Sequence, residues 1–342
     1  MATEFKTSFD FPYFKIVVHS NDKKIFDIIG KQFSDISISP KDIKHCLSDL
    51  MINIFCNKTP YHKIPRSRYD CFHGFTLFYN RYTEYEHVNQ GYENSRVCYD
   101  VGPRTLRTVI DFKGASITSY IATPPDFEKD LLFDLIFFQP LKCLLQIKGF
   151  YLFHASCVAK NKQGVLLTGK SGSGKSTLAL TLLRCGFDYF ADDEIVLYAR
   201  DDGVKCFSFP ARPKIKKKSL QLFPELRKFS VSPASKKEKI LINTDQQFPM
   251  AKDIVVAPKI LIFPKYTQSK TRIEPFVKQK ALAQLAKEEF IHVRYSGPQV
   301  YQKHFFVLSH LLGQVACYKL FYKDKDLDKI PTLISGLLKD SQ

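Results

Sequence analysis

The sequence has no run of residues long and apolar enough to span a membrane. A spanning helix needs about 20 predominantly apolar residues, and the most apolar region, residues 131–153, is interrupted by Asp134, Lys142 and Lys148. Residues 1–15 include acidic side chains and have no apolar core of the signal-peptide kind. These absences predict a cytoplasmic protein without a membrane span.

The sequence also lacks the cysteine spacing of a disulfide or zinc framework. Its nine cysteines are scattered, and no two of them form a C-x-x-C pair. Reduced thiols with structural roles are therefore expected. No internal repeat or low-complexity tract is present. With 342 residues, 44% of them hydrophobic, the chain can bury a core in one large domain or two smaller ones.

Acidic residues are few: 34 Asp and Glu stand against 51 Lys and Arg, which gives a formal net charge of +17. A basic surplus can serve nucleic-acid binding. Here it is spread over the chain, with short runs only at 214–218 and 236–239, and no recognisable DNA- or RNA-binding motif accompanies it. A solvated basic surface is the first interpretation, an acidic protein or peptide partner the second, and nucleic acid the last.

The stretch 164–177, GVLLTGKSGSGKST, organises the rest of the chain. An apolar strand runs into a glycine-rich loop and then a helix, and Gly169, Gly174, Lys175 and Ser176 satisfy the phosphate-loop pattern G-x-x-x-x-G-K-[ST]. In that pattern backbone N–H groups wrap a phosphate, the lysine reaches the outer phosphates and the hydroxyl coordinates Mg²⁺. The helix N-terminus favours the same anion. A plain glycine-rich turn is the alternative. The predicted nucleotide-binding residues are Gly169, Lys170, Ser171, Gly172, Ser173, Gly174, Lys175, Ser176 and Thr177.

A histidine precedes this loop on the neighbouring predicted strand. Residues 152–159 and 164–168 are apolar runs separated by a short polar turn, which predicts an antiparallel hairpin. Counting back across the turn places His154 opposite Gly169. His154 is then expected beside the bound phosphates, although a packed or capped histidine is the default interpretation for such a position.

Two adjacent carboxylates follow the helix after the loop. That helix is expected to stop at Gly186 and to be followed by a strand at 187–191, predicted to pair in parallel with the strand before the loop. Ligands of such sheets bind at the carboxyl ends of the strands, where Asp192 and Asp193 emerge. One carboxylate could accept the proton of an attacking hydroxyl while the other holds Mg²⁺. An exposed acidic turn is the alternative.

Residues 1–125 are predicted to form a β-rich region of unknown role. A helix is expected at 23–33, and residues 57–68 are predicted as a loop. The predicted strands are 14–19, 74–79, 96–101, 108–112 and 116–121, the last two joined by a turn at Lys113-Gly114. Four histidines without metal-ligand spacing are expected to be structural or surface residues; they are His45, His62, His73 and His87.

Residues 126–342 are predicted to form the phosphate-loop domain, beginning with a helix at 127–146. Residues 210–239, rich in proline and lysine, are expected to be irregular and to face the substrate. A core strand at 259–263 is expected to end at Pro264. The other predicted elements are a hairpin of 194–199 with 204–209, helices at 279–290, 299–312 and 327–338, and a strand at 316–322.

The order of His154-Ala155-Ser156, the loop 169–176, Gly186 and Ala191-Asp192-Asp193 resembles the catalytic domain of HPr kinase/phosphorylase and related HPr-kinase-like proteins. The resemblance is good over about 151–198. It implies an α/β fold, a phosphate-loop core with a mixed twisted sheet akin to the nucleotide core of phosphoenolpyruvate carboxykinases. It also implies that Asp192 is the general base, that Asp193 supports the metal, and that His154 stands near the transferred phosphate.

These observations predict a kinase that uses ATP and Mg²⁺ and transfers the γ-phosphoryl group to a hydroxyl. The resemblance favours a serine hydroxyl on a peptide, protein or small molecule, and the basic runs would suit an acidic acceptor. The catalytic residues would be Asp192, His154 and Lys175, and the metal ligands Ser176 and Asp193. A nucleotide-binding regulatory module without transfer is the first alternative, and a carboxykinase-like or polynucleotide kinase activity the next. The oligomeric state stays open, a homo-oligomer included.

Overall fold

The computed structural model describes residues 4–33, 49–56, 83–84, 96–101, 106–121, 132–192, 194–208, 214–216, 221–231, 239–242, 255–293 and 298–340. The chain forms two compact units. The first comprises Met1–Phe150 and His292–Tyr301, and the second comprises Tyr151–Ile291 and Gln302–Gln342. Within the described ranges, no helix has the length and apolar character that crossing a membrane requires.

A seven-stranded mixed sheet forms the base of the first unit. Its strands are β1 (Phe5–Asp10), β2 (Lys15–Ser20), β3 (Leu50–Cys56), β4 (Thr83–Glu84), β5 (Arg96–Val101), β6 (Leu106–Asp111) and β7 (Ser116–Ile121). They lie in the order β1-β2-β3-β7-β6-β5-β4, in which β3 is parallel to both of its neighbours and the other pairs are antiparallel. This sheet confirms the β-rich character predicted for the N-terminal region, including the hairpin of β6 with β7.

Among the described residues, α-helices at 23–33 and 139–147 pack on this sheet. Helix α1 (Lys23–Phe33) begins where Asp22 Oδ1 accepts a hydrogen bond from Ile25 N at 3.1 Å, a side-chain cap that satisfies a free backbone donor. It packs on β1 and β2 through an apolar face that ends in the buried Phe33. Helix α2 (Gln139–Ile147) continues a π-helical turn at Asp134–Phe138 and packs on β6 and β7.

The described residues of the second unit form twelve strands. They are β8 (Tyr151–Phe153), β9 (Ala155–Lys160), β10 (Gln163–Thr168), β11 (Asp188–Ala191), β12 (Ile195–Arg200), β13 (Gly203–Ser208), β14 (Lys214–Lys216), β15 (Ser230–Val231), β16 (Lys239–Ile242), β17 (Val255–Tyr266), β18 (Arg272–Pro275) and β19 (Ala316–Tyr322). The main sheet has the order β11-β9-β10-β17-β13-β12-β8, with β19 paired to β17 and β18 to β19. Strands β14, β16 and β15 form a separate three-stranded sheet.

Helix α3 (Lys175–Arg184) packs on β9 and β10 and is the helix that follows the glycine-rich loop. Its buried leucines, among them Leu178 and Leu182, join Ile260 and Ile262 of β17 in one apolar core. Each fully buried aliphatic side chain stabilises the unit by about 1.5–3 kcal/mol, so the core holds the loop between fixed elements. The remaining helices are α4 (Lys278–Val293), α5 (Pro298–Gln314) and α6 (Ile330–Asp340).

Three parallel strands bring their carboxyl ends to one edge of the main sheet. β10 is parallel to β17, and β17 is parallel to β19. β10 ends at Thr168, where the loop begins, whereas β17 and β19 extend to Tyr266 and Tyr322, which pair with each other in register. The predicted edge at which ligands bind is therefore formed by the loop together with these two tyrosines.

The strand predicted at 152–159 is broken at His154 into β8 and β9. β8 pairs with β12, whereas β9 pairs with β10 and β11, so the chain changes neighbours at this residue. The predicted parallel pairing of β10 with β11 is also wrong, because β9 lies between them and is antiparallel to both. The two strands still run in the same direction, so the predicted placement of Asp192 at the loop edge survives.

The predicted end of a strand at Pro264 is wrong as well, since β17 continues to Tyr266. The pairing of β17 with β10 stops at Ile262, and beyond it only β19 pairs with β17. Pro264 has no N–H to donate, and it lies in the part of β17 that, among the described strands, has lost β10 as a partner, where proline is better tolerated than in a fully paired strand. Part of the region 210–239 is regular too: it contributes β14, β15 and the first residue of β16, and a 3₁₀ turn at Pro224–Phe229.

Several predictions fall outside the described residues: the strand 74–79, the loop 57–68, the histidines 45, 62, 73 and 87, and the boundary between residues 125 and 126. They stay predictions. The helix predicted at 127–146 is described from residue 132 onward and belongs to the first unit, which ends its first segment at Phe150. Six cysteines with described side chains have free thiols, and five of these are buried, as expected for structural thiols.

Candidate nucleotide-phosphate site

The loop from Gly169 to Gly174 joins the end of β10 to the start of α3. Gly169, Gly172 and Gly174 have φ angles of 142°, 85° and 100°, which residues with a β-carbon rarely adopt. Ser173 N donates to Lys170 O at 3.1 Å and closes a turn inside the loop. The middle of the loop is exposed. The strand, loop and helix therefore have the geometry in which backbone N–H groups and a helix N-terminus bind an anion.

A tyrosine from the far end of the chain supports this loop. Tyr322 Oη donates a hydrogen bond to Ser173 O at 3.2 Å, and a β-carbon added to Gly174 would lie 1.6 Å from the same oxygen. Gly174 is thus required both by its φ angle and by the space that Tyr322 fills. Burial, and to a lesser degree the nearby Asp324 and Tyr266, raises the pKa of Tyr322. The phenol therefore stays protonated and can donate its hydrogen bond to Ser173 O of the loop.

Lys175 is the first residue of α3 and is buried, with only 5% of its surface exposed. Its Nζ donates to Gly169 O at 2.6 Å. This hydrogen bond joins the residue that follows the loop to the first residue of the loop, which fixes the position of the ammonium group. A buried lysine needs compensation for its lost hydration. Lysines at this position of a phosphate loop reach the outer phosphates of a bound nucleotide.

Asp192 follows β11 and is 2% exposed. Its Oδ1 accepts hydrogen bonds from two hydroxyls: the Oγ of Ser176, at 3.2 Å, and the Oγ of Ser156. Ser176 comes from the first turn of α3 and Ser156 from the fully buried part of β9. The carboxylate is thereby tied to both elements that flank it, which gives it a defined position beside the phosphate loop.

The metal ligands predicted for this site were Ser176 and Asp193. Asp193 lies outside the described residues. Ser176 Oγ and Asp192 Oδ1 are hard oxygen donors 3.2 Å apart at the N-terminus of α3. The Ser176 hydroxyl fits Mg²⁺, which is held in nucleotide sites by one or two protein oxygens together with phosphates and water, and Asp192 Oδ1 orients that hydroxyl by accepting its hydrogen bond. Among the described residues, no group of three or more His, Cys, Asp and Glu side chains forms a metal cage, and Mg²⁺ of this kind does not need one.

His154 lies between β8 and β9. The register pairs Ala155 with Thr168, which puts His154 at the position opposite Gly169, as predicted. Thr168 Oγ1 donates to His154 O at 3.5 Å and ties this part of the backbone to the start of the loop. The register is consistent with the predicted position of His154, and its role at the transferred phosphate stays a prediction.

Three residues of this region had no assigned role in the sequence analysis: Ser156, Tyr322 and Tyr266. Ser156 is two residues after His154, and only the side-to-side packing of β9 against β11 brings it to Asp192. Tyr322 and Tyr266 end two strands that are parallel to β10. The sequence does show that the strand predicted at 316–322 ends in an aromatic residue, Tyr322. It does not show which strands end at the edge of the sheet where the phosphate loop lies.

Comparisons with known proteins found relatives that share a short segment with this chain. HPr kinase/phosphorylase of Limosilactobacillus reuteri is 49% identical over 49 residues, 14% of this chain and 15% of the relative. HPr kinase/phosphorylase of Pelodictyon phaeoclathratiforme is 41% identical over 59 residues, 17% of this chain and 18% of the relative. The aligned part of the chain thus spans less than a fifth of the length of these curated relatives. No protein-family model matches the chain.

Among solved structures, the Hpr(Ser) kinase/phosphatase from Coxiella burnetii matches with a TM-score of 0.28 and 15% identity, over 55% of this chain and 94% of that one. The mixed sheet, the loop after β10 and helix α3 define an α/β fold of the phosphate-loop class, as predicted. The sequence matches to the curated relatives confirm the resemblance to HPr kinase/phosphorylase that was drawn from the residues.

Proposed function

We propose that the protein is a kinase that uses ATP and Mg²⁺ and transfers the γ-phosphoryl group to a hydroxyl, most simply that of a serine in a peptide, a protein or a small molecule. The observation that carries the proposal is the hydrogen bond between Ser176 Oγ and Asp192 Oδ1 at 3.2 Å. It joins the phosphate loop to a buried carboxylate, and phosphoryl transfer needs these two parts side by side.

In this proposal the loop residues Gly169 to Thr177 bind the triphosphate through backbone N–H groups, and Lys175 neutralises its outer phosphates. Ser176 and Asp193 hold Mg²⁺, which supplies charge neutralisation on the phosphates when it is bound. Asp192 accepts the proton of the acceptor hydroxyl, and His154 stands beside the transferred group. The two hydroxyls on Asp192 Oδ1 fix the direction of the carboxylate, so that its orientation is set before the acceptor arrives.

The acceptor would be an acidic molecule if the basic run 214–218 contributes to its binding. Residues Lys214–Lys216 form β14, in the three-stranded sheet of the second unit. Lysines clustered on such a segment attract acidic groups at ordinary ionic strength. The relatives matched above are named for HPr, but the matched length is too short to carry that substrate over, and the acceptor is defined here only by its hydroxyl and its charge.

A second candidate is a nucleotide-binding regulatory module that transfers nothing. The observation that favours it is the burial of Asp192, which is 2% exposed. A general base has to come within hydrogen-bond distance of the hydroxyl that it deprotonates. Unless the acceptor reaches this carboxylate, the site would bind Mg²⁺ and nucleotide without chemistry.

The deciding experiment is transfer from γ-labelled ATP into a cell extract and into synthetic acidic serine peptides, followed by mass spectrometry of the labelled species. A kinase gives a phosphoserine product that depends on Mg²⁺ and is lost in Lys175→Ala. Tight ATP binding by the wild-type protein without any labelled product in either mixture would favour the regulatory module. Absence of ATP binding would remove both candidates.

A further inference from the structure

An exposed aromatic ring stands at the same edge as the phosphate loop. Tyr266 is the last residue of β17 and is 46% exposed, although it belongs to a strand whose other end is in the core. A tyrosine ring offers an apolar face and a polar tip, which suits a binding surface that is partly in water. The centroid of this ring lies 5.9 Å from that of Tyr322, with the ring planes at 88°.

Tyr322 connects this ring to the loop. Tyr266 and Tyr322 are register partners on adjacent parallel strands, and the Tyr322 hydroxyl donates to Ser173 O at 3.2 Å. Tyr266 is therefore separated from the phosphate loop by a single side chain. The anchoring is rigid, because Tyr322 is buried and fills the space beside Gly174.

The order of the strands sets the direction in which a nucleotide would extend. Ser176 and Asp192 mark the side of the loop at which the metal and the transferred phosphate would lie, and Asp192 follows β11, on the β9 side of β10. β17 and β19 lie on the opposite side of β10. A triphosphate held in the loop with its terminal phosphate towards Asp192 would direct its nucleoside towards β17 and β19.

We infer that Tyr266 is the stacking platform for the nucleobase of the phosphoryl donor, with Tyr322 as the residue that positions it. This inference rests on the proposed nucleotide site and adds to it the part that recognises the base. An aromatic ring stacks on the face of any base and distinguishes a nucleotide from a bare polyphosphate. Stacking alone makes the site tolerant of the identity of the base, so adenine and guanine nucleotides would bind with similar affinities.

The test compares ATP with inorganic tripolyphosphate, which carries the phosphates and lacks the base. Dissociation constants of both are measured by calorimetry, with Mg²⁺, for the wild-type protein, Tyr266→Ala and the matched control Tyr266→Phe. Loss of one base–aromatic stack weakens binding by about tenfold. Tyr266→Ala should therefore weaken ATP about tenfold and leave tripolyphosphate unchanged, whereas Tyr266→Phe, which keeps the ring, should bind both as the wild type does.

The alternative outcomes separate this inference from the proposed function. If Tyr266→Ala binds ATP as tightly as the wild type, or loses ATP and tripolyphosphate equally, the platform is overturned while the phosphate site stands. If the variant raises the acceptor KM at unchanged ATP affinity, the ring serves the acceptor and the inference is again overturned. If the wild-type protein binds neither ATP nor tripolyphosphate, the proposed nucleotide site itself fails. Unfolding of each variant is followed by circular dichroism, so that a folding defect is seen directly.

Discussion

Ser176 Oγ donates a hydrogen bond to Asp192 Oδ1 over 3.2 Å. The two residues come from different elements, the first turn of α3 and the end of β11, and the same carboxylate oxygen accepts a second hydrogen bond from Ser156 of β9. Three elements of the second unit thus meet at one carboxylate. The catalytic part of the proposed function depends on this junction, and its phosphate-binding part depends on the loop beside it.

Replacing Lys175 by alanine should abolish nucleotide turnover. The Lys175 ammonium is buried and held across the phosphate loop, and loss of one such fixed charge donor typically lowers kcat by about 10²–10³. Turnover of γ-labelled ATP measures the effect. Lys280→Ala, which removes an exposed lysine of α4, is the control and should retain turnover. Normal turnover in Lys175→Ala would show that the site is assigned wrongly.

The two aspartates should respond differently to replacement by asparagine. Asp192→Asn keeps the size of the side chain but removes the base, so kcat should fall by about 10²–10⁴ with little change in ATP affinity. Asp193→Asn should weaken binding of Mg²⁺–ATP, and raising Mg²⁺ should partly restore it. Steady-state kinetics at several Mg²⁺ concentrations measure both effects. Full transfer activity in both variants would exclude the proposed kinase mechanism.

Ser156 should matter for turnover as a positioning residue. Ser156→Ala removes one of the two hydroxyls on Asp192 Oδ1, and a displaced catalytic group can cost up to about 10²-fold in rate. We expect kcat to fall about tenfold or more while the ATP dissociation constant stays near that of the wild type. The control is Ser119→Ala, which also removes a buried hydroxyl: Ser119 shares a hydrogen bond with Thr108 at 2.9 Å.

Ser119→Ala should lower the free energy of unfolding by about 1 kcal/mol and leave kcat unchanged. If both serine variants lose stability but neither loses kcat, Ser156 has a structural role only. If Ser156→Ala loses kcat and ATP affinity together, the hydroxyl acts on the loop and not on Asp192 alone.

Two glycines of the loop provide a matched pair for testing the support by Tyr322. A β-carbon at Gly174 would meet Tyr322 Oη at 1.6 Å, whereas one at Gly172 would have no heavy atom within 4 Å. Both positions have positive φ, which costs about 1–2 kcal/mol for alanine. Gly172→Ala should lose about that much stability, and Gly174→Ala should lose more, together with its ATP affinity. Thermal unfolding measures the stability of both variants and calorimetry their ATP affinity. If the two variants lose equal amounts, Tyr322 moves aside for the new β-carbon without a cost in free energy.

The basic run 214–218 offers a test of the acceptor. Reversing three of its charges, with Lys214, Lys216 and Lys217 changed to glutamate, should raise the KM for an acidic acceptor and leave the ATP dissociation constant nearly unchanged. The reason is that this run would attract the acceptor, whereas the phosphates of ATP are bound by the loop; the increase in KM should diminish at high salt. An unaltered KM would mean that these lysines belong to a solvated basic surface and do not bind the acceptor.

The sequence alone determined the parts of the site that depend on contiguous residues. The phosphate-loop pattern, helix α3 from Lys175 to its end before Gly186, and the hairpin of β6 with β7 follow from glycine placement, helix-forming residues and alternating apolar patterns. All of these were predicted close to their observed bounds. Each signal of this kind acts between residues that are near neighbours in the chain, so a single segment contains all the information that is needed.

Only the tertiary structure decided which distant residues meet. Ser156 and Asp192 are 36 positions apart, and Tyr322 and Ser173 are 149 apart. Their contacts depend on β9 lying between β10 and β11 and on β17 continuing past Pro264, and both were mispredicted. The order of strands in a sheet is set by how all of them together bury their apolar faces and satisfy their backbone hydrogen bonds. No local pattern encodes that balance, which is why the loop could be predicted from the sequence and the residues that hold it in place could not.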